Sequence, residues 1–294
     1  MGRKDKHLLL FNFLGYSYVL IMCLFCLIPF WLLISGSFTT ERYVITHGYG
    51  FIPGEFTLDA YRLAFGTSVS VLKAYGVSVG VTVSGTLLGL ALMSATAYVL
   101  SRKDFRYRGG LSFYFYFTML FSGGMVPYYI LISSYFKWTN NYLALIVPGL
   151  MSPWLLLLLR NFMSSIPESI GESAKIDGAS EYVIFIRLIL PLSKPGLATI
   201  GLFLGLGYWN DWFNASLFIR DSAMFPLQYF LQNIIQSTEF ARKSMMSGIP
   251  FSVDTPTESL KMATAVIATG PIIFLYPFVQ RYFIKGLTVG AVKG

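Results

Sequence analysis

Charged residues are scarce in this chain: they make up 12% of its 294 residues, whereas hydrophobic residues make up 55%. A typical soluble domain carries about 25% charged residues, so the composition excludes an ordinary water-soluble globular protein. The charges are also bunched, and five long segments have none: residues 7–40, 74–101, 109–136, 138–159 and 262–280. Each segment supplies roughly the 20 apolar residues that a helix needs to cross a bilayer.

Residues that build catalytic and metal sites are equally few, with only 2 histidines and 2 cysteines. His7, at the start of the first uncharged segment, and His47, beyond its end, are far apart and give no basis for a metal site or for histidine-based catalysis. Cys23 and Cys26 lie inside that segment without another soft ligand, so we interpret them as small apolar side chains. The dipeptide Gly-Lys is absent, which excludes a P-loop. We therefore predict no catalytic residue, no metal and no cofactor bound by this chain.

The apolar segments predict an all-α, polytopic membrane protein with a single transmembrane domain, residues 1–294. A sixth apolar segment lies between Pro195 and Arg220 and is interrupted only by Asp211. We predict six membrane-spanning helices, near residues 14–38, 72–100, 111–134, 141–160, 196–219 and 262–284.

Segment 222–238 is also free of charge and is a rival candidate for a seventh span. Its four amide side chains are costly to place in lipid; they are Gln228, Gln232, Asn233 and Gln236. A seventh span would also place the basic C-terminal tail outside the cell. We interpret the segment as an amphipathic part of an external loop, residues 220–261.

Lysine and arginine indicate the orientation, because cytoplasmic loops carry an excess of both. With the N-terminus inside, most of the 22 Lys and Arg residues fall on the cytoplasmic side, including the short loop "SRKDFRYRGG". Both termini are then predicted to be cytoplasmic. The net charge of +8 indicates contact with anionic lipid headgroups rather than with nucleic acid.

Small residues and prolines predict how the spans pack and bend. Glycines four apart allow close helix approach, and they occur in the second and fifth spans, at Gly76, Gly80, Gly85, Gly89, Gly201 and Gly205. Prolines predict kinks in the fourth and sixth spans, at Pro148, Pro153, Pro271 and Pro277.

One polar stretch interrupts the apolar pattern: "GESAKIDGASEYVIFIRLILPLSKPG", residues 171–196. The predicted cytoplasmic connection that contains it, 161–195, is far longer than two neighbouring helices require. We predict a short helix that ends near Gly178 and a second helix along the membrane surface that ends at Pro191. Small side chains in this stretch permit close approach of a partner, and its carboxylates offer charge-assisted hydrogen bonds.

This stretch resembles the coupling motif of ABC-transporter permease subunits, in which E-A-A is followed by Asp-Gly-Ala and then by Leu-Pro. Ser173 stands where the motif has its first alanine. The tail "QRYFIKGLTVGAVKG" is similar to the ending of carbohydrate-uptake permeases of the maltose-transporter type, specifically the second, six-helix partner. With "LFSGGMVPYYILI" and "TESLKMATAVIATGPIIFLYPF", it resembles the subgroup that imports oligosaccharides released from polysaccharides.

The resemblance implies a type I ABC importer permease fold in a bacterial plasma membrane. It implies a homologous second permease, two cytoplasmic ATPase subunits that hold ATP and magnesium, and an external sugar-binding protein. The residues implied to dock on an ATPase are Glu172, Ser173, Ala174, Asp177, Gly178 and Ala179. The tail residues Ala291, Val292 and Lys293 are weaker ATPase contacts, and loop 244–256 is a candidate contact for the binding protein. The alternative is an ordinary amphipathic cytoplasmic loop.

The segment "YWNDWFNAS", residues 208–216, combines aromatic faces that stack on sugar rings with groups that hydrogen-bond hydroxyls. A carboxylate within a predicted span is a candidate functional group. The candidate substrate-pathway residues are Tyr208, Trp209, Asn210, Asp211, Trp212 and Asn214. The alternative is an aromatic belt at the membrane interface, with Asp211 in contact with water. The sequence leaves neutral and uronic-acid-containing sugars open.

Three other functions remain as alternatives. A same-superfamily importer of a non-sugar solute would keep the coupling motif but has no need of the sugar-type tail. A secondary transporter usually has several ionisable residues within its spans, whereas only Asp211 qualifies here. A channel or secondary transporter would also act without an ATPase.

Overall fold

The computed structural model describes residues 3–66, 71–246, 258–270 and 273. Within these residues the regular secondary structure is helical, apart from one isolated bridge between Thr39 and Phe56. The all-α prediction is therefore confirmed for this part of the chain. The described residues form two compact units, one from 3–66 with 233–246 and 258–270, the other from 71–232 with 273.

The first unit contains three N-terminal helices, α1 (Arg3–Ser37), α2 (Glu41–His47) and α3 (Asp59–Gly66). The second unit contains ten helices among the described residues: α4 (Val71–Ser101), α5 (Arg108–Leu120), α6 (Met125–Ile130), α7 (Leu143–Ile146), α8 (Pro153–Ser164), α9 (Glu168–Ile176), α10 (Glu181–Ile184), α11 (Leu190–Leu192), α12 (Lys194–Trp209) and α13 (Phe213–Phe218). Helix α14 (Leu227–Met246) begins in the second unit and ends in the first, which also contains α15, residues 258–270.

Short helical turns extend this list. A π-helical turn, Leu131–Tyr135, continues α6, and another, Phe185–Ile189, joins α10 to α11. One 3₁₀ turn, Val147–Gly149, follows α7, and another, Ser222–Met224, precedes α14.

Two unbroken helices are long and apolar enough to cross a membrane: Phe11–Ser37 within α1, with 27 residues, and α4, with 31. Three bent helix pairs bring the number of candidate spans among the described residues to at most 5. The sixth predicted span, 262–284, begins in α15 and continues outside the described residues.

The prediction of one continuous helix over 111–134 is wrong. Helix α5 ends at Leu120, and the segment Met125–Tyr135 follows at an angle of 111°. Gly124, which lies in the break, has a φ of +85°, a backbone conformation that glycine adopts without steric cost.

The predicted fifth span, 196–219, is also interrupted. Helix α12 ends at Trp209 and the chain becomes helical again at Phe213. At its other end, α12 makes an angle of 78° with the preceding segment Glu181–Leu192. The predicted kink in the fourth span is present, because Leu143–Gly149 and Pro153–Ser164 meet at 45°.

Glycines bring α4 and α12 together within the second unit. A Cβ atom added to Gly85 would lie 2.4 Å from the ring of Tyr208, and one added to Gly201 would lie 3.1 Å from Leu90. The predicted close approach is therefore confirmed at Gly85 and Gly201 but is wrong at Gly76 and Gly80, where an added Cβ would meet no atom of the described residues within 4 Å. In a membrane, such contacts stabilise the fold through van der Waals packing. The hydrophobic effect contributes little there, because lipid tails are as apolar as leucine side chains.

The core of the second unit is formed by large apolar side chains from α4, α8, α10 and α12. The most deeply buried of them include Met93, Leu156, Leu159, Ile184 and Ile200. Since Ile184 belongs to α10, the segment that follows α9 is anchored in the same core as the long helices.

In the first unit, a carboxylate caps the beginning of α15. Glu41 accepts hydrogen bonds from the backbone N–H groups of Glu258, at 2.9 Å, and Ser259, at 3.0 Å. An anion at this position also interacts favourably with the helix dipole. The hydroxyl of Tyr49 donates to Glu258 at 3.2 Å, and burial together with this carboxylate raises the pKa of Tyr49.

Candidate functional site

The polar stretch singled out from the sequence folds into a helix with a sharply defined end. Helix α9 ends at Ile176, and Gly178 follows with a φ of +83°. The N–H of Ala179 donates to the carbonyl of Ala174 at 2.9 Å, and the N–H of Gly178 donates to that of Lys175 at 3.0 Å. This pair of bonds is the Schellman motif, which satisfies carbonyls at the end of a helix. The predicted helix end near Gly178 is confirmed.

Helix α9 presents different residues on different sides. Ala174 and Ala179 are half-buried and pack against the apolar core, so they hold the turn in place. Ser173 and Ile176 project into solvent, and Ile176 is 87% exposed. A large aliphatic side chain with that exposure at a rigid tip is available to a partner.

A third side of α9 lines a cavity of about 560 Å³. It contributes Glu168, Gly171, Glu172 and Lys175, which are spaced three or four residues apart and therefore share one face. The predicted docking residue Glu172 lies one helical turn from Ile176, so it stands at the border between the cavity side and the exposed side of α9. The other walls come from the end of α4, the loop that follows it, and α8.

Four charged side chains beside this cavity form a closed ring, which we call the charge ring: Arg102, Glu181, Lys175 and Asp104. Arg102 pairs with both Glu181 and Asp104. Lys175 Nζ lies 2.7 Å from Glu181 and 3.7 Å from Asp104. Positive and negative groups alternate around the ring, so each charge has two neighbours of opposite sign.

Electrostatics keep the acidic members of this region ionised. The hydrogen bond from the Arg102 guanidinium lowers the pKa of Asp104 to about 2. The same contact raises the pKa of Arg102. Because the pKa of Asp104 lies below its usual value, its ion pairs are fully formed above pH ~4 and are lost only as the pH falls towards ~2.

Two further side chains, Tyr98 and Lys103, add contacts beside the charge ring. The hydroxyl of Tyr98, on α4, donates to Glu181 at 2.7 Å and accepts from Arg102 at 3.0 Å. Its ring stacks on Phe185, with centroids 5.1 Å apart. Lys103 pairs with Glu168 at 3.0 Å. The end of α4 and its loop are thus joined to both α9 and α10.

The candidate pathway residues separate into buried and accessible groups. Tyr208 and Trp209 are each 7% exposed, and the Tyr208 hydroxyl donates to the carbonyl of Ile146 at 2.7 Å. Asn210 and Trp212 are exposed, and Asn210 donates to the carbonyl of Leu206 at 3.0 Å. These residues therefore do not share one face.

Asp211 and Asn214 do come together, as their spacing predicted. Asp211 accepts two hydrogen bonds from Asn214, from the backbone N–H at 3.0 Å and from the side-chain amide at 2.7 Å. Asn214 Oδ1 in turn accepts from the hydroxyl of Tyr128 at 2.8 Å. We call Tyr128, Asn214 and Asp211 the polar chain. Asp211 lies just after α12, not within it.

Comparison with known proteins identifies the family. The family described as "Binding-protein-dependent transport system inner membrane component" matches residues 85–289, more than half of the chain. The chain belongs to this family. It is accordingly a permease, a membrane subunit of a transport system rather than an enzyme.

Two curated relatives match the permease over nearly its whole length. The polygalacturonan/rhamnogalacturonan transport system permease protein YtcP of Bacillus subtilis is 42% identical, covering 97% of this chain and 99% of the relative. The arabinooligosaccharides transport system permease protein AraQ of Halalkalibacterium halodurans is 29% identical, covering 96% and 95%.

A solved structure resembles the whole permease. It is a bacterial ABC transporter involved in the import of the acidic polysaccharide alginate. The TM-score is 0.80 at 28% identity, and the match covers 96% of this chain and 99% of the other. The ABC permease fold implied by the coupling motif is therefore supported by the three-dimensional comparison.

Several parts of the permease site could not be recognised in the sequence. Arg102 and Glu181 are 79 residues apart, and no local spacing predicts that they pair. Ile176 had a visible signal, since it is the one aliphatic residue between Glu172 and Gly178 apart from alanine. The tail contacts Ala291, Val292 and Lys293 lie outside the described residues, as does most of the predicted loop contact 244–256.

Proposed function

We propose that this permease pairs with a homologous permease and moves an oligosaccharide from an external binding protein into the cytoplasm by alternating access. The observation that carries the proposal is the geometry of α9: the helix stops in a tight turn at Gly178 and presents its tip outside the core. A tip held in this way can receive force from another subunit and transmit it to the membrane helices.

The energy in this proposal comes from ATP hydrolysed, with magnesium, on two cytoplasmic ATPase subunits. The outward residues Ser173, Ile176, Asp177 and Gly178 contact one ATPase, and Ile176 fills an apolar recess. Ala174 and Ala179 pack against the core and keep the turn rigid. Glu172 projects from the neighbouring side and reaches a donor at the edge of the contact.

The membrane arrangement in this proposal has six spans, with both termini in the cytoplasm of a bacterial plasma membrane. The bends that follow α5 and α7 then lie within spans, whereas the 78° bend before α12 separates the cytoplasmic connection from the fifth span. The charge ring and α9 lie on the cytoplasmic side, where an ATPase is accessible. Helix α14 lies on the external side, where the binding protein delivers its sugar.

The substrate is proposed to be a polysaccharide fragment, because one relative is named as a polygalacturonan/rhamnogalacturonan permease and the similar solved structure is of a transporter involved in the import of alginate. Asp211, Asn214 and Asn210 supply groups that hydrogen-bond sugar hydroxyls, and the exposed Trp212 offers a face for stacking. Asn214 donates two hydrogen bonds to Asp211, which fix the orientation of the carboxylate.

Reconstitution tests this function. The permease is co-expressed with its candidate second permease, ATPase and binding protein, purified as a complex and placed in liposomes. Uptake of labelled galacturonate oligosaccharides is compared with uptake of neutral oligosaccharides. We expect uptake that requires both ATP and the binding protein. Uptake by the permease alone, without an ATPase, would instead establish a channel or a secondary transporter.

A further inference from the structure

We infer that the charge ring of Arg102, Glu181, Lys175 and Asp104 is a transmission element: through it the coupling helix α9 moves α4 as well as α12. This inference rests on the proposed function. It assigns Arg102 and Glu181 as positioning residues that set how much sugar is moved for each ATP hydrolysed.

The covalent chain already provides one route from α9 to the membrane helices. Segment Glu181–Leu192 follows the turn at Gly178 and meets α12 at 78°. A displacement of α9 along this route reaches α12 directly. It reaches α4 only through side-chain contacts, because four helices, α5 to α8, separate α4 from α9 along the chain.

The charge ring supplies those contacts at a single place. Glu181 stands in the first turn of α10, and Lys175 stands in the last turn of α9. Arg102 and Asp104 follow the end of α4 at Ser101. The four charges therefore join the two ends of the α9–α10 turn to the end of α4, and Tyr98 adds a hydrogen bond from α4 itself to Glu181 at 2.7 Å.

The exposure of the ring argues for a role in geometry rather than in bulk stability. The side chains of Asp104 and Glu181 are 61% and 50% exposed, whereas that of Arg102 is 22% exposed. Exposed ion pairs contribute little to the free energy of unfolding. A network with fixed hydrogen-bond geometry nevertheless restricts orientation, since Arg102 must satisfy Glu181, Asp104 and the hydroxyl of Tyr98 together.

Contacts deeper in the unit carry the motion onward. Helices α4 and α12 touch where Gly85 meets Tyr208 and where Gly201 meets Leu90. With α9 joined to α12 by the chain and to α4 by the charge ring, the two helices move as one body. Without the ring, the middle of α4 stays packed against α12 but its end at Ser101 loses the link to α9, and ATP is hydrolysed without opening the pathway fully.

A double-mutant cycle in the complete reconstituted transporter tests the inference. The variants are Arg102→Gln, Glu181→Gln and the double variant, each measured for sugar imported per ATP hydrolysed. We expect each single change to lower this ratio about tenfold, within the range typical of coupling between two sites. The double variant should lose no more than the worse single variant, because both changes break one network.

The matched control is Arg106→Gln. Arg106 lies in the same loop as Arg102, is exposed, and forms no ion pair with any described residue. Its ratio should equal that of the unmodified transporter. A purely structural role for the ring would lower the yield of complex but leave the ratio unchanged, and that result overturns the inference. Additive losses in the double variant also overturn it.

Hydrogen exchange of backbone amides in residues 168–184 gives a readout that needs no sugar. The Glu181→Gln complex should exchange faster there than the unmodified complex, while Arg106→Gln should not. Equal rates in all three would overturn the inference. If the unmodified complex imports no sugar, the proposed function fails, and the exchange rates still decide whether the ring holds α9.

Discussion

The charge ring and the polar chain are two polar clusters in one apolar unit, and they handle charge in opposite ways. The ring balances two cations against two carboxylates, and its side chains are 22% to 61% exposed. The polar chain contains one carboxylate, half-buried, whose hydrogen bonds come from Asn214 and whose next neighbour is Tyr128. If an ion pair of the ring separates, water can solvate both charges. The carboxylate of the polar chain depends on its protein donors, so it tolerates substitution of those donors less well. Its oxygens can also accept hydrogen bonds from a ligand with hydroxyl groups.

The largest effect is expected at Gly178, in the turn that follows the end of α9. A β-branched residue at a φ of +83° is strained whatever the surrounding space, and a non-glycine residue in this region costs about 1–2 kcal/mol. Gly178→Val should therefore distort the tip and abolish sugar-stimulated ATP hydrolysis, measured in the reconstituted complex. Gly178→Asn is the control, because asparagine tolerates this conformation better than other residues, and it should retain most activity. Unchanged uptake by Gly178→Val would remove the coupling role from this turn.

A smaller loss is expected from the exposed tip itself. Ile176→Ser removes an aliphatic side chain that is 87% exposed in the permease, and burying such a side chain in a partner contributes roughly 1.5–3 kcal/mol. The affinity of the ATPase for the membrane subunits should fall about tenfold or more, as measured by titrating the ATPase onto permease in detergent. Ile52→Ser is the matched control, since Ile52 is 80% exposed in the segment predicted to be external. Equal effects of the two changes would show that Ile176 has no special partner.

The sequence predicted the coupling segment better than the breaks in the helices. The end of α9 was predictable because glycine at the helix end, with an alanine on either side of the turn, is a local signal. The break at 210–212 was not, because Trp209, Asn210 and Asp211 include neither glycine nor proline and the segment is apolar on average. The charge ring could not be predicted for another reason. Tertiary packing brings its residues together, and their spacing in the sequence does not indicate that they pair.

The polar chain offers the third test. Asp211→Ala removes the acceptor for two hydrogen bonds from Asn214 and leaves donors unpaired, which typically costs about 1–3 kcal/mol for a buried group. Sugar-stimulated turnover should fall severalfold while basal ATP hydrolysis stays close to normal. Asp211→Asn keeps an acceptor for the Asn214 backbone N–H and should be intermediate. If the sugar response of Asp211→Ala is unchanged, Asp211 is a residue of the membrane interface rather than of the sugar pathway. The charge ring and the polar chain would then differ only in how water solvates them.

The smallest effect is expected at Tyr208. Its substitution tests whether Tyr208 serves helix packing or belongs with Asp211 in the sugar pathway. Its ring lies close to Gly85 and Gly149, and its hydroxyl donates to the carbonyl of Ile146 at 2.7 Å. Tyr208→Phe keeps the ring and removes one hydrogen bond, which contributes about 0.5–1.5 kcal/mol. The thermal stability of the purified complex should therefore fall slightly, while the preference among oligosaccharides stays unchanged. A changed substrate preference with unaltered stability would place Tyr208 with Asp211 in the pathway, because a packing residue has no means of distinguishing one sugar from another.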